Sequence, residues 1–296
     1  MQRVAVFVFG LALLAGAGFW WLTRPQGLDD ADIATLMALD ADPERGAGVF
    51  WAGGCAGCHS APGAEDDDAP VLSGGQRFET EFGVFIAPNI SPHPDHGIGT
   101  WGRADFANAM MRGISPQGAH YYPAFPYTAY ALADLQEIAD LQAFIATLPP
   151  SDAVAPEHEL AFPFTFRRGI GLWKARYLGE DWVLQGDLSP EVERGRHLVE
   201  ALAHCAECHT PRDSFGGLDR AAWMEGAPNP SGDGRIPGIT PGALGWSRQD
   251  IALYLESGFT PEFDVAGGSM AAVVRAMARL TPADRDAIAA YLLALE

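Results

Sequence analysis

Cysteine is scarce in this chain: of 296 residues only Cys55, Cys58, Cys205 and Cys208 are cysteine, and all four fall in two Cys-x-x-Cys pairs. None remains for a disulfide framework. Positive charge is thin as well. Nineteen Lys and Arg stand against 38 Asp and Glu, a formal net charge of -19, so phosphate backbones and anionic lipid surfaces are repelled and nucleic-acid binding is excluded. The acidity serves solubility or the steering of a basic partner, and charge alone does not choose. Sustained period-two alternation is missing from both halves, which gives an all-α fold class. Disorder over long stretches is excluded by 48% apolar residues and eight tryptophans, while 34 glycines and 22 prolines place many turns between short elements.

One long apolar run exists. The nineteen residues Val4–Leu22 follow Arg3 and precede Thr23 and Arg24. As a helix they span roughly 28 Å, near the ~30 Å hydrocarbon core of a bilayer. The run ends in Phe19-Trp20-Trp21, which suits an interfacial belt. The competing reading is a cleavable signal peptide, whose apolar region is usually shorter, about 7–15 residues, and ends in a small-x-small site. The retained anchor is favoured, with the N-terminus cytoplasmic, although Arg24 on the far flank weakens the charge argument. Both readings place the body of the chain outside the cytoplasm.

The second half echoes the first. Glu44-Arg45-Gly46 precedes Cys55-Ala56-Gly57-Cys58-His59 as Glu193-Arg194-Gly195 precedes Cys205-Ala206-Glu207-Cys208-His209. Ala87-Pro88-Asn89 then answers Ala227-Pro228-Asn229, and Trp101, Asp105 and Gly113 answer Trp246, Asp250 and Gly258. An amphipathic segment closes each half, with Leu141, Phe144, Ile145 and Leu148 in one and Ile288, Tyr291, Leu292 and Leu295 in the other, all at helical spacing. The expected organisation is an anchor or signal segment over 1–28, a domain over 29–150, a Pro- and Phe-rich linker over 151–188 and a second domain over 189–296.

Cys-x-x-Cys-His supplies, from one turn of chain, two thiols for the vinyl groups of a haem and an imidazole for its iron. Two such motifs at equivalent places of a repeat, using every cysteine, point to two covalently bound haem c groups held by Cys55, Cys58, His59 and by Cys205, Cys208, His209. Zinc is the main competitor, but about 150 residues part the two pairs, where ribbon-like zinc sites have about 15–20. A thioredoxin-like dithiol belongs beside a βαβ pattern that is absent here. Each domain, at roughly 100 residues, gains from the macrocycle buried area that its own side chains supply only with difficulty.

The sixth iron ligand is readable in the second half, where Met270, preceded by Gly267-Gly268-Ser269, sits in an expected loop shortly before the closing helix. Its alternative role is core packing. In the first half, counting from the haem motif makes His120 the counterpart of Met270, counting from the tryptophan makes it Phe125, and counting back from the closing helices makes it Pro123. His120 is the nearest side chain able to bind iron and is the expected ligand. Met110 or Met111, on the apolar face of a short helix, is the alternative, and a five-coordinate iron is the third possibility. His93, His96, His158, His197 and His204 read as surface or supporting residues, Asn89 and Asn229 as turn residues able to reach a haem propionate, and Asp66-Asp67-Asp68 as a solvated loop.

With these residues in view, the chain resembles the cytochrome c subunits of membrane-bound alcohol, sorbitol and gluconate dehydrogenases and related diheme cytochromes of the bacterial periplasm. The resemblance rests on both Cys-x-x-Cys-His motifs, on Ala87-Pro88-Asn89-Ile90-Ser91-Pro92 leading to Gly97-Ile98-Gly99-Thr100-Trp101, on Tyr122-Pro123-Ala124-Phe125-Pro126-Tyr127, and on Met270 followed by Val273-Val274. It implies two tandem class I cytochrome c domains after an N-terminal transmembrane helix, in the bacterial inner membrane with the haem domains facing the periplasm. It also implies redox protein partners: a dehydrogenase subunit, an oxidase or a soluble cytochrome. Two departures stand out. Those subunits usually carry three haem motifs and this chain has two, and Phe125 stands where many relatives have the methionine of Pro-Ala-Met-Pro.

The expected function is electron transfer between periplasmic or membrane redox partners, from a dehydrogenase toward a respiratory acceptor, with no catalytic residue of its own. The rivals are a haem enzyme of peroxidase type acting at the first iron, and a diheme subunit of a terminal oxidase.

Overall fold

The computed structural model describes residues 2–64, 69–230 and 234–295; the acidic run Asp66-Asp67-Asp68 lies outside them. The apolar run forms helix α1 (Gln2–Leu22), exposed along most of its length, followed by α2 (Asp30–Ala38). The first half then contains α3 (Pro43–Ala52), the one-turn helix α4 (Cys55–His59), the hairpin β1 (Arg77–Thr80) and β2 (Gly83–Ile86), α5 (Arg103–Arg112), α6 (Tyr127–Tyr130) and α7 (Leu135–Ile145). The connecting segment carries β3 (Glu159–Leu160) and α8 (Ile170–Tyr177). The second half contains α9 (Pro190–Arg196), which runs on into a wider turn over His197–Leu202, then α10 (Ala206–His209), β4 (Ala227–Pro228), β5 (Arg235–Ile236), α11 (Pro241–Leu244), α12 (Arg248–Ser257), α13 (Gly268–Met277) and α14 (Pro282–Ala294).

Each half is built on a crossing of its first and last helices, α3 on α7 and α9 on α14. The repeated Glu-Arg-Gly triplet explains why they cross there. A Cβ on Gly46 would collide with the Asp140 carbonyl, and one on Gly195 with the Ala287 carbonyl, so only glycine lets the backbones approach this closely. The arginine beside each glycine ties the crossing from outside: Arg45 Nε lies 2.8 Å from Asp140 Oδ2, and Arg194 Nε 2.9 Å from Asp284 Oδ1. The closing helices turn Leu141, Ile145, Ile288, Tyr291 and Leu292 into the core, as their spacing indicated.

Helices carry both cores, but short ladders are present that the sequence reading did not include. β1 pairs antiparallel with β2, β2 with β3, and β4 with β5. Strands of two to four residues are too short for alternation to register.

The connecting segment is a strap rather than a loose tether. Asn89 Nδ2 donates to the Ser151 and Ala153 carbonyls at 2.9 and 2.8 Å, and Arg77 forks onto Glu159 at 2.7 and 2.8 Å. Farther on, Lys174 Nζ donates to the Gly113 carbonyl at 2.7 Å, Trp173 Nε1 to the Phe215 carbonyl at 3.0 Å, and Tyr177 to Asp213 at 2.6 Å. The strap therefore bonds to both halves.

Candidate haem sites

The first attachment turn opens at Gly54, in the left-handed region at φ 60°, and runs through α4. Helical spacing places Cys55, Cys58 and His59 within little more than one turn. His59 Nδ1 lies 2.9 Å from the Pro88 carbonyl. A carbonyl oxygen only accepts, so the ring proton is on Nδ1 and the lone pair on Nε2, the form in which imidazole binds a metal. The second turn repeats this: His209 Nδ1 lies 2.8 Å from the Pro237 carbonyl. Desolvation holds both imidazoles below the usual histidine range, toward that neutral form.

A glycine fixes each carbonyl beneath its histidine. Gly74, at φ 73°, donates its N–H to the His59 carbonyl at 2.7 Å, and a Cβ there would strike the Pro88 backbone; Gly226, at φ 85°, does the same to His209 and Pro237. These two glycines escaped the sequence reading, and the reason is a mistaken echo. The counterpart of Ala87-Pro88-Asn89-Ile90 is not Ala227-Pro228-Asn229 but Ile236-Pro237-Gly238-Ile239, because Ile90 N bonds the Leu72 carbonyl as Ile239 N bonds the Met224 carbonyl. Ala227 and Pro228 instead pair with Ile236 and Arg235 across the β4–β5 ladder. Asn89 works within its loop and strap, its Oδ1 accepting from Ser91 N at 2.9 Å.

The four cysteines are unpaired thiols. Desolvation pushes the Cys55 and Cys205 thiols up to about 12, the opposite of the lowered values that mark exchange-active cysteines. Large hydrophobic residues packed on the core are only partly covered by protein in each half: Trp101, Ile90 and Phe125 in the first, Trp246, Ile239 and Met270 in the second. Oriented imidazoles, free thiols on the same turn and an incompletely covered apolar wall are what a covalently bound haem requires of a chain.

The two attachment turns face each other. His204, immediately before Cys205, lies with Nε2 3.2 Å from the Gly53 carbonyl, and its ring stands edge-on to Tyr130 at 5.8 Å. Ala272 of α13 approaches Gly57 of α4, and the Arg279 guanidinium lies 4.9 Å over the Trp51 ring.

Met270 lies in the first turn of α13 rather than in a loop, partly buried against the core. Among the expected ligands of the first half, the structure resolves the disputed register. Gly113 and Gly258 are both left-handed helix caps; Tyr121 N bonds the Gly113 carbonyl as Ala266 N bonds the Gly258 carbonyl; and the bridge between Ile114 and His120 matches that between Phe259 and Val265. His120 therefore corresponds to Val265, and the same offset carried four residues past the last shared bond sets Phe125 against Met270. His120 is engaged elsewhere, with Nε2 2.9 Å from the Thr23 carbonyl, which fixes the proton on that nitrogen. The expectation of His120 as an iron ligand loses its positional basis. Met110 and Met111 are buried core residues of α5. Of the other histidines, His93 and His96 stack on each other, His158 packs against Phe85 and Tyr122, and His197 lies 2.8 Å from Glu137.

A fold of paired helical halves, each presenting a Cys-x-x-Cys-His turn with an oriented imidazole, defines a two-haem c-type electron carrier. The cytochrome c family model matches residues 43–149 and 192–296, and the chain belongs to that family as a diheme c-type cytochrome with two covalently bound haem c groups. It is 54% identical over 292 residues to a diheme cytochrome c-type protein of Cereibacter sphaeroides, covering 99% of this chain and 98% of that one. It is 37% identical over 255 residues to the fructose dehydrogenase cytochrome subunit of Gluconobacter japonicus, covering 84% of this chain and 51% of the relative. To the gluconate 2-dehydrogenase cytochrome c subunit of Pantoea cypripedii it is 30% identical over 282 residues, 90% of this chain and 63% of the relative. The chain thus spans about half to two thirds of these two dehydrogenase subunits.

Proposed function

We propose that this protein is an inner-membrane electron relay that takes electrons on the periplasmic side from a dehydrogenase and delivers them to a respiratory acceptor. The observation that carries this reading is the mutual approach of the two attachment turns at His204 and Gly53, since electron transfer depends on proximity and fixed spacing. The relatives named as dehydrogenase cytochrome subunits support the donor class. The formal charge of -19 favours a basic docking face on a partner.

The haem iron supplies the one-electron carrier; the chain orients and shields it. Cys55 and Cys58, with Cys205 and Cys208, would hold the porphyrins, His59 and His209 would offer the iron their Nε2 lone pairs, and Met270 would be the second ligand in the second domain. The Pro88 and Pro237 carbonyls keep each imidazole proton on Nδ1. Trp101 and Trp246, each partly buried against the core, would lend apolar surface to the two porphyrins.

A retained anchor is supported by how α1 ends. Thr23 is fully buried, its Oγ1 accepts from Arg168 Nε at 3.0 Å, and its carbonyl accepts from His120. The Leu28 N–H bonds Asn108 Oδ1 at 2.8 Å. Upstream of that point, the Trp20 carbonyl accepts from Arg168 Nη2 at 2.5 Å and the Trp20 ring lies 4.1 Å beneath the same guanidinium, contacts that cleavage after the tryptophans would remove.

The test is purification of the full chain from solubilised membranes. Expected are an intact mass carrying two haems, an uncleaved N-terminus, and co-purification with a dehydrogenase whose substrate reduces both haems. A haem-loaded protein released by salt alone, or one that no dehydrogenase fraction reduces, refutes the anchor or the donor assignment respectively.

A further inference from the structure

We infer that the iron of the first domain has no side-chain ligand on its distal side and is an open site for small uncharged π-acceptor molecules such as carbon monoxide or nitric oxide. This rests on the reading that His59 binds the iron of a covalently attached haem. The two domains share one backbone plan through α5 and α12 and the bridged turn that follows each. The Ser115 N–H bonds the Ala119 carbonyl at 2.8 Å and the Thr260 N–H the Asp264 carbonyl at 2.9 Å; the Tyr121 to Gly113 and Ala266 to Gly258 bonds follow in step at 2.7 and 2.8 Å. Along that register the place of the Met270 thioether falls to Phe125, which carries no donor atom.

The neighbouring donors do not substitute for it. His120 is five residues upstream, its Nε2 committed to Thr23 at the end of α1 and its Nδ1 buried without a partner on that same anchored ring. Met110 and Met111 fall at the positions of Leu255 and Glu256, each 7% exposed and packed within the α5 core. The segment around Phe125 is also fixed: Pro123 and Pro126 flank it, Phe125 N bonds the Tyr122 carbonyl at 3.1 Å, and Tyr127 N bonds the Phe125 carbonyl at 2.8 Å. The Phe125 ring rests among Tyr121, Tyr127 and Tyr130, with centroids 6.1, 6.3 and 5.9 Å away. The Phe125 ring itself offers an anion neither charge nor a hydrogen-bond donor, which leaves uncharged diatomics as the fitting class. The second domain, closed by Met270, is the internal reference.

The experiment uses the detergent-solubilised full-length holoprotein, with haem content fixed first by intact mass. The dithionite-reduced protein is titrated with carbon monoxide, and the ferric form is examined for spin state. The expected result is one carbon monoxide bound per two haems, with one high-spin and one low-spin iron. Phe125→Met abolishes binding and converts the high-spin signal, Phe125→Leu leaves both as they were, and Met270→Ala raises the ratio to one per haem. A protein with two haems that binds no carbon monoxide overturns the inference. So does binding that persists unchanged in Phe125→Met, or a Met110→Leu, Met111→Leu double variant that gains a site over the parent. Fewer than two haems by mass refutes the cofactor reading instead, a separate failure.

Discussion

His204 and Gly53 link the two halves of this cytochrome: the imidazole before the second haem turn lies 3.2 Å from the carbonyl before the first. His204 occupies the place that Gly54 has in the first turn, and both are left-handed, at φ 41° and 60°. A side chain in that conformation costs about 1–2 kcal/mol, so the histidine is held there by its reach across the interface and its edge-on contact with Tyr130.

Replacement of His204 by glycine separates spacing from stability. It relieves the backbone strain and removes the bridge, so thermal stability should change by no more than about 1–2 kcal/mol in either direction with both haems retained. Electron exchange between the haems, followed by flash reduction of one of them, should slow. An unchanged exchange rate means the contact is incidental.

The helix crossings give a stability prediction. Gly195→Ala puts a methyl group into the Ala287 carbonyl, and the helices must separate to admit it. Overpacking of this kind costs typically 1–3 kcal/mol. Denaturant unfolding followed by haem absorbance should show a lowered midpoint for the second domain, and Gly46→Ala the same for the first. A midpoint equal to that of the parent would show that the crossing is looser than its backbone geometry.

Much of this was legible in the sequence, and what was not has a physical cause. The Cys-x-x-Cys-His turns and closing helices were readable because their chemistry is local: ligands within one turn, apolar residues at helical spacing. The Glu-Arg-Gly repeat was visible but its reason was not, since the Asp140 and Ala287 carbonyls are remote in sequence. The Ala-Pro-Asn echo misled because the same three letters occupy a ladder in one half and the histidine-facing loop in the other. Similarly, His120 and Phe125 could not be ranked by counting, because the loop between the haem motif and the tryptophan differs in length between halves. Only the backbone bonds at Gly113 and Gly258 fix that register.

Lys174 gives a pH dependence. It is 8% exposed, it donates to the carbonyls of Arg112 and Gly113 at the end of α5, and burial pushes it down to about 7. The unfolded chain titrates near the usual lysine value of about 10.4, so between these limits it binds more protons than the folded one. Stability from this group therefore rises with pH across that window. Melting temperatures of the parent should climb, relative to those of Lys174→Met, as pH goes from about 7 toward 10. Parallel curves would show that the two carbonyls hold the ammonium charged throughout.

The assignment of Met270 is tested by potential. A thioether donates weakly and favours ferrous iron, whereas a second imidazole favours ferric iron, so methionine ligation raises the reduction potential. If Met270 binds the second iron and Phe125 leaves the first without a partner, Met270→His should lower one midpoint in a spectroelectrochemical titration and leave the other in place. It should also leave carbon monoxide binding at the first haem intact. A uniform fall in both midpoints would instead indicate that α13, which packs against α4 of the first domain as well as α12 of its own, had shifted as a body. No fall in either would remove Met270 from the iron. The direction of electron flow is read from the same titration, since whichever haem has the higher midpoint is the better acceptor and the other is the one that reduces it.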